Sequence, residues 1–231
     1  EVTTLTLDIG QQYDDLEAVR QKALQLGAKE AIVYDAKDQF ADTILAHAIK
    51  ANASYQGKYH LSTPLGRVIT TQVGVKVAKQ KNIKCIAHGC TGKGNDQVRF
   101  EGYILALDPE MKVIAPVREW NMDRDAEIEY AQAHGIPVPA AKDFPYSVDD
   151  NMWGMTWEGG EIEDPALIPQ VDTFLTTYTL PSAAPSKAEQ VTITFKEGVP
   201  VAVNGTTGKL SQIVEQLNSI GGAHGVGVVH M

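Results

Sequence analysis

Apolar residues in the first part of the chain alternate between short runs typical of buried strands and longer stretches with a helical period. The short runs predict strands at residues 2–7, 31–34, 84–87 and 112–115. The periodic stretches predict helices at residues 14–26, from about 38 onward, 68–81, 99–107 and 123–134. The second of these helices carries an apolar stripe of Phe40, Ile44, Leu45, Ala48 and Ile49. Strands that alternate with helices predict an α/β fold with a parallel sheet and right-handed crossovers.

Residues with special backbone preferences mark the ends of these elements. Gly27 and Gly135 follow periodic stretches and predict helix C-termini, since glycine adopts positive φ without strain. Pro64 predicts the first turn of a helix, and Pro116 is expected to close the strand that precedes it.

The alternation of strand-like and helix-like stretches ends after about residue 140. Residues 147–163 predict short strands and turns, and residues 190–203 predict a hairpin. An amphipathic helix is predicted at residues 210–220, and Gly221 and Gly222 are expected to stop it. This second part therefore predicts the beginning of an α+β domain.

Length, composition and charge narrow the class of protein. The 231 residues suffice for one large domain or two small ones. The change of sequence pattern near residue 140 favours two, at residues 1–140 and 141–231. The hydrophobic fraction of 43% and the charged fraction of 21% are ordinary for a soluble globular protein. No apolar run reaches the roughly 18 residues of a membrane span, so no membrane partner is expected. The net charge of -9 argues against a nucleic-acid partner and requires any anion site to be locally basic.

The chain has two cysteines, Cys85 and Cys90, which are too few for a disulfide framework. Their C-x4-C spacing without further ligands is a poor zinc signal, so no metal ligands are expected among the side chains. Reduced thiols, and with them a cytoplasmic location, are the expectation.

A glycine-rich stretch follows the third predicted strand. Residues 87–101 read AHGCTGKGNDQVRFE, in which glycines and a lysine lead to Asn95 and Asp96, residue types that favour a helix N-cap. A strand, a glycine-rich turn and a helix start form an anion site, because free backbone N–H groups and the helix dipole face the turn. The spacing differs from a P-loop, since the first two glycines are too close together. A tight turn with a solvated Lys93 is the structural alternative.

Charged and amide side chains come directly after the glycines. Asn95, Asp96 and Arg99 place an amide, a carboxylate and a guanidinium at the predicted start of the helix. Asp96 can pair with an ammonium group, and Arg99 can bind a carboxylate through two hydrogen bonds. A site with both charge signs suits a zwitterion, such as an amino acid, beside a phosphate.

The string AHGCTGKGNDQVRFE at residues 87–101 resembles the signature of the argininosuccinate synthases. This resemblance implies an ATP-dependent ligase of arginine biosynthesis that condenses citrulline with aspartate and releases AMP and pyrophosphate. It implies an adenine nucleotide α-hydrolase-like domain followed by a synthetase domain, with Mg²⁺ beside ATP, in a cytoplasmic homotetramer. It also implies that the ureido oxygen of citrulline attacks the α-phosphate of ATP, and that the aspartate amine displaces AMP from the resulting citrullyl-AMP.

The resemblance assigns binding roles residue by residue. ATP-binding positions of the family match Leu7, Ala87, His88, Gly89, Cys90, Thr91, Gly92, Lys93, Gly94 and Asn95. Aspartate-binding positions match Thr91, Asn95 and Asp96. Citrulline-binding positions match Tyr59, Thr63, Asn95, Arg99, Ser147 and Thr156. Lys93 is expected to stabilise phosphoryl charge, together with fixed N–H donors.

Residues 63–67, TPLGR, look like part of the family's citrulline-binding segment. Many members carry serine where this chain has Pro64, and the neighbouring hydroxyl of Thr63 is expected to replace it. Without the resemblance, Leu7 is a strand end, Tyr59 is a solvated loop residue, and the two later hydroxyl residues belong to a turn and a strand.

The resemblance covers the middle of the family's usual sequence. The Ser-Gly-Gly pyrophosphate loop and the long oligomerising tail of other members have no counterpart here, and Val228 stands where the family usually has arginine. A fragment or a truncated relative is therefore expected. A non-catalytic nucleotide- or amino-acid-binding relative is the alternative function. A tRNA thiolase on the same fold is disfavoured, because such enzymes need further cysteines or a surface that binds RNA.

Overall fold

The computed structural model describes residues 1–12, 15–92, 94–120, 124–137, 146–168 and 177–230. Its strands are β1 Thr3–Asp8, β2 Glu30–Asp35, β3 Cys85–Ala87, β4 Lys112–Ile114, β5 Tyr146–Asn151, β6 Gly154–Gly159, β7 Ile193–Lys196, β8 Val199–Val203 and β9 Thr206–Thr207. Its α-helices are α1 Leu16–Gln25, α2 Lys37–Phe40, α3 Ala46–Lys50, α4 Ser62–Gln80, α5 Asp96–Leu107, α6 Pro116–Trp120, α7 Arg124–Ala133 and α8 Leu210–Ala223. A π-helical turn, Ala41–Leu45, joins α2 to α3, and a 3₁₀ turn spans Gly160–Glu163. None of the helices in the described ranges combines the length and the apolar character that a membrane span needs.

Contacts along the chain divide it into two compact units, each assembled from separate segments. The first unit contains Glu1–Asp8, Tyr13–Tyr34 and Pro64–Pro145. The second contains Ile9–Gln12, Asp35–Thr63 and Tyr146–Met231. The two sequence domains that meet near residue 140 stay a prediction.

The first unit contains most of the predicted α/β region. β1 pairs with β2, and β3 pairs in parallel with β4, with Ile86 opposite Val113. Within the described residues, these hydrogen bonds form two separate two-stranded sheets. Ile83, Ile86 and Val113 pack against a buried core made of Val75, Ala78, Ile104 and Met111. The parallel pair, with α4 and α5 packed against it, confirms the predicted α/β class.

Helix ends in the first unit follow their sequence signals. Asp15 caps α1, because its carboxylate accepts a hydrogen bond of 2.9 Å from the Ala18 N–H. Gly27 and Gly135 follow α1 and α7 with φ of +93° and +64°, as predicted for helix C-termini. Pro116 follows β4 but also begins α6, where its fixed φ and missing N–H suit a first helical turn.

The second unit has antiparallel strands and its own core. β5 and β6 form a hairpin, and β7, β8 and β9 form a three-stranded sheet. Glu197 and Gly198, between β7 and β8, both have positive φ, as a two-residue type I′ turn requires. α8 packs on β8 and on α2. Lys209 and Ser211, at the start of α8, bond the Asp38 carboxylate and lower its pKa, Lys209 more than Ser211.

α8 does not end where the sequence predicts. Gly221 and Gly222 are expected to stop the helix, but it continues to Ala223. Gly222 has a packing role instead, since a Cβ on it would lie 2.2 Å from the Thr177 carbonyl oxygen. Its own carbonyl accepts a hydrogen bond of 2.8 Å from the Thr179 N–H. The predicted glycine stop is therefore wrong, because this glycine permits a close approach between two segments.

Gly222→Ala is expected to lower the free energy of unfolding by about 1–3 kcal/mol, the usual cost of overpacking. Gly221→Ala is the matched control, since its Cβ would lie 3.7 Å from the nearest atom, the Val226 carbonyl oxygen. The control should be neutral or slightly stabilising, because alanine favours a helix more than glycine does. Thermal unfolding measures both variants, and equal melting temperatures would contradict the packing role.

Candidate functional site

The glycine-rich stretch leaves the carboxyl end of a parallel strand. Ala87 ends β3, and the His88 N–H extends the pairing with a hydrogen bond of 3.1 Å to the Ile114 carbonyl at the end of β4. Beyond that bond the chain turns into a loop, defined here as residues 88–95 and called the glycine loop. Open α/β sheets bind their ligands outside the carboxyl ends of their strands. The predicted ATP-binding residues therefore begin at the edge where a ligand is expected.

The glycine loop leads into α5 at Asp96. Asn95 occupies the N-cap position, but its side chain makes no cap hydrogen bond to the described helix. The position predicted for Asn95 is right, whereas a side-chain cap there is not found. The first N–H groups of any helix lack partners inside the helix and carry positive partial charge, so they suit an anion. Lys93, predicted to stabilise phosphoryl charge, lies outside the described residues.

Two arginines converge on the Asp96 carboxylate. The Arg67 Nε and Nη2 both lie 2.9 Å from Oδ2, and the Arg99 Nη1 donates to Oδ1 at 2.8 Å. Between 22% and 28% of each of these side chains is exposed. The Arg67 guanidinium also lies over the Phe100 ring, 5.9 Å from its centre. Two guanidinium groups around one carboxylate leave a net positive charge, so this site is locally basic in an acidic chain.

Asp96 keeps capacity for a ligand beside these contacts. A carboxylate offers about four lone-pair positions, so three arginine nitrogens do not exhaust them. A guanidinium likewise has more donors than one carboxylate contact uses. The cluster of Arg67, Asp96 and Arg99 can therefore bind an ammonium group at the carboxylate and a carboxylate at a guanidinium. This is the mixed-charge chemistry that the sequence predicts.

Cys90, inside the glycine loop, stays in its unreactive thiol form at neutral pH. Burial raises the pKa of this thiol, and the Asp96 carboxylate raises it further, against the opposing effect of Arg67. The thiolate is the nucleophilic form, so a raised pKa argues against covalent catalysis by Cys90. The backbone of Cys90 has a clearer role, since its N–H donates to His88 Nδ1 at 3.3 Å.

In the second unit, three of the predicted citrulline-binding residues lie together. The Tyr59 hydroxyl accepts a hydrogen bond of 3.0 Å from the Thr63 N–H. The Thr63 Oγ1 lies 3.4 Å from the Thr156 Oγ1 on β6. Ser147, on β5, is a diagonal neighbour of Thr156 and shares its face of the hairpin. These hydroxyl groups can both donate and accept hydrogen bonds.

The hairpin of β5 and β6 is fixed beside these hydroxyl groups. The Asn151 Nδ2 donates to the Ser62 carbonyl at 3.0 Å, and the Trp153 Nε1 donates to the His60 carbonyl at 2.8 Å. Gly154 permits the close approach, since a Cβ on it would lie 3.3 Å from the Ser62 Cβ. These contacts hold the end of the hairpin against the residues that flank Tyr59 and Thr63.

The predicted site residues fall into two sets. The glycine loop, Asp96 and Arg99 belong to the first unit, and the remaining hydroxyl residues, Tyr59, Thr63, Ser147 and Thr156, belong to the second. Leu7, predicted to pack under adenine, is buried on β1. Arg67 is a site residue whose role the sequence does not reveal. Its only signal is its place at the end of the TPLGR segment, which does not show that it contacts Asp96.

Known proteins match along the whole chain. Residues 1–137 match the family described as Arginosuccinate synthase N-terminal HUP domain, and residues 146–231 match the family described as Arginosuccinate synthase C-terminal domain. Curated relatives named argininosuccinate synthase include those of Symbiobacterium thermophilum, 46% identical over 227 residues, Pyrococcus furiosus, 49% identical over 227 residues, and Rubrobacter xylanophilus, 48% identical over 231 residues. These matches cover 98%, 98% and 100% of this chain, and 56%, 54% and 56% of the relatives. The chain thus spans about half the length of the curated relatives it matches.

Proposed function

We propose a function from the premise that this chain belongs to the argininosuccinate synthase family: the protein condenses citrulline with aspartate to argininosuccinate and cleaves ATP to AMP and pyrophosphate. The observation that carries this proposal is the Asp96 carboxylate held by Arg67 and Arg99 beside the glycine loop. A carboxylate and two guanidinium groups lie next to a loop and a helix start that suit phosphate, and their charges are those that a bound ammonium group and carboxylate would need. The proposed reaction brings two amino acids to one phosphate, so it needs both kinds of group. The biological role would be arginine biosynthesis.

In the first proposed step, the ureido oxygen of citrulline attacks the α-phosphorus of ATP. The new P–O bond forms as the bond to pyrophosphate breaks, which gives citrullyl-AMP. Negative charge develops on the phosphoryl oxygens, and the N–H groups of the glycine loop, with Lys93, would stabilise it. We assign ATP to Leu7 and residues 87–95. We assign citrulline to Tyr59, Thr63, Asn95, Arg99, Ser147 and Thr156.

In the second proposed step, the neutral amine of aspartate attacks the ureido carbon of citrullyl-AMP. The C–N bond forms as the C–O bond breaks, AMP leaves with the former ureido oxygen, and the proton that the amine nitrogen loses passes to solvent. We assign aspartate to Thr91, Asn95 and Asp96. No protein residue needs to form a covalent bond with a substrate. Catalysis would come largely from holding the two amino acids against one phosphate.

We extend the proposal to Mg²⁺, a cytoplasmic location and a homotetramer, all of which rest on the family resemblance. Among the described residues, no three His, Cys, Asp or Glu side chains gather as metal ligands. Mg²⁺ is commonly held by substrate phosphates with one or two carboxylates rather than by an all-protein site. We therefore assign Mg²⁺ to the phosphates of bound ATP.

Oxygen labelling tests the proposed reaction in the protein made from the full reading frame. The protein is incubated with ATP, aspartate and citrulline that carries ¹⁸O in its ureido group. We expect argininosuccinate, AMP and pyrophosphate in equal amounts, with the label in AMP, because the ureido oxygen leaves with AMP. Unlabelled AMP, or release of ADP and phosphate, would exclude the citrullyl-AMP route. Binding of ATP without any product would favour the non-catalytic alternative.

Arg99→Lys is expected to weaken citrulline binding by about 1.5–3 kcal/mol, the range for hydrogen bonds to charged groups. Lysine keeps the charge but loses the planar fork that can serve Asp96 and a ligand together. Calorimetric titration with citrulline measures the effect. Arg20→Lys is the matched control, because Arg20 pairs with Glu17 on α1 at 2.7 Å and has no assigned ligand. An unchanged citrulline affinity in Arg99→Lys would refute the assignment.

A further inference from the structure

The glycine loop is held by side chains at two backbone groups. The Cys90 N–H donates to His88 Nδ1 at 3.3 Å, and the Gln97 Nε2 donates to the Gly92 carbonyl at 2.7 Å. His88 begins the loop, and Gln97 lies in the first turn of α5. These two anchors restrict the backbone on which the proposed phosphate contacts depend.

One guanidinium connects the two anchors. Arg118, on α6, donates from Nη1 to the Gln97 Oε1 at 2.9 Å and to the Glu101 Oε1 at 2.6 Å. The Glu101 Oε1 lies 3.4 Å from His88 Nε2. The methylene stem of Arg118 runs beside Gly92, since a Cβ on this glycine would lie 3.6 Å from the Arg118 Cγ. Arg118 is therefore hydrogen-bonded to the Gln97 anchor and to Glu101, whose carboxylate faces the buried Nε2 of His88 without a hydrogen bond to it.

His88 has a defined orientation between the Cys90 amide and Glu101. Because the Cys90 N–H donates to Nδ1, the neutral ring carries its proton on Nε2, the nitrogen nearest Glu101. The ring stacks on Phe100 with centroids 6.0 Å apart, and only 8% of the side chain is exposed. A buried ring with one tautomer keeps its acceptor directed at the Cys90 amide.

We propose that Arg118 is a positioning residue for the glycine loop, and that it acts through Gln97 on one anchor and through Glu101 on the other. Gln97 and Glu101 are one helical turn apart on the same face of α5, so a single guanidinium reaches both. Without it, Gln97 loses a partner and the Glu101 carboxylate loses its neutralising charge beside His88. The contacts of Arg118 with Gln97 and Glu101 do not depend on which ligand binds the loop, whereas ATP as that ligand rests on the proposed function.

Arg118→Met tests this inference in the protein made from the full reading frame. Methionine keeps an apolar stem beside Gly92 but removes the charge and both donors. We expect faster hydrogen exchange at the Cys90 amide and a higher Kd for ATP, each by about tenfold, as for the loss of one hydrogen bond to a charged group. Arg118→Lys should restore part of both properties, because its ammonium reaches less far than the guanidinium but still donates.

Arg20→Met is the control, since it removes an arginine that pairs with a glutamate on α1 at 2.7 Å, and it should leave both readouts unchanged. Unchanged exchange at Cys90 in Arg118→Met would overturn the inference. Faster exchange with an unchanged Kd for ATP would overturn it as well, because the loop shape would not matter to the ligand. A wild-type protein that binds no ATP would contradict the proposed function, and the exchange measurement would still decide whether Arg118 holds the loop.

Discussion

Phe40→Ala is expected to lower the free energy of unfolding by about 3–5 kcal/mol, the range for truncating a buried aromatic ring. Phe40 is fully buried in the second unit. Leu45, Val203 and Ile213 in the same unit are at most 2% exposed. Truncation removes apolar surface from the core and leaves a cavity that the surrounding side chains fill only in part. Since small domains are stable by about 5–15 kcal/mol, this single change removes a large share of the total.

Phe195→Ala is the matched control for Phe40→Ala. Phe195 lies on β7 in the same unit, but 55% of it is exposed. Its truncation should change the free energy of unfolding by about 0.5 kcal/mol or less, as for most surface substitutions. Denaturant unfolding followed by circular dichroism measures both variants. If Phe195→Ala lowers the free energy of unfolding as much as Phe40→Ala does, burial does not explain the effect of Phe40→Ala.

The segment around Phe40 shows what a periodic pattern can and cannot predict. A spacing of 3.6 residues predicts a helix with Phe40, Ile44 and Leu45 on its apolar stripe, and a helical segment is found there. However, Ala41–Leu45 is a π-helical turn, which contains more residues per turn than an α-helix. Phe40 and Leu45, at the two ends of this turn, are fully buried, whereas Ile44 is half-buried. The pattern predicts the helix but not the π-helical turn, because an apolar stripe indicates which residues face the core and not how many residues each turn contains.

Glycines show the same limit of prediction from sequence. Gly27 and Gly198 lie where the local backbone needs positive φ, and the sequence predicts both the helix end and the hairpin. Gly222 is in a helix and is required by the distant Thr177 carbonyl, which no neighbouring residue signals. A local backbone requirement could therefore be predicted from sequence, whereas a requirement imposed by a remote segment could not.

The candidate site also combines residues that could be predicted from sequence with residues that could not. The glycine loop, Asp96 and Arg99 are contiguous, so one string is enough to single them out. Arg67 and Arg118 come from α4 and α6, and their contacts with α5 depend on tertiary packing. Sequence patterns register periodicity and short motifs, so they cannot show which distant arginine neutralises which carboxylate. The binding role of each site residue stays a prediction that substitution must test.

Asp96→Ala is expected to raise the KM for aspartate by about 10- to 150-fold, which corresponds to about 1.5–3 kcal/mol for a hydrogen bond to a charged group. The substitution removes the proposed acceptor for the aspartate ammonium. It also removes the carboxylate between Arg67 and Arg99, two like charges that would then repel each other. Arg99 would shift as a consequence, so the KM for citrulline should rise by a smaller factor. The KM for ATP should change least, because the glycine loop keeps its anchors at His88 and Gln97.

Steady-state kinetics with each of the three substrates varied in turn measures this order of effects in the protein made from the full reading frame. Asp108→Ala is the matched control, since the Asp108 carboxylate ends the same helix and lies 3.2 Å from the Lys79 Nζ. Its loss should leave all three KM values within a factor of about two, because Asp108 lies at the opposite end of α5 from the glycine loop and has no assigned ligand. Equal increases in the KM for ATP and aspartate in Asp96→Ala would contradict the aspartate assignment. Such a result would mean that Asp96, with Arg67 and Arg99, serves mainly to hold the start of α5 in place.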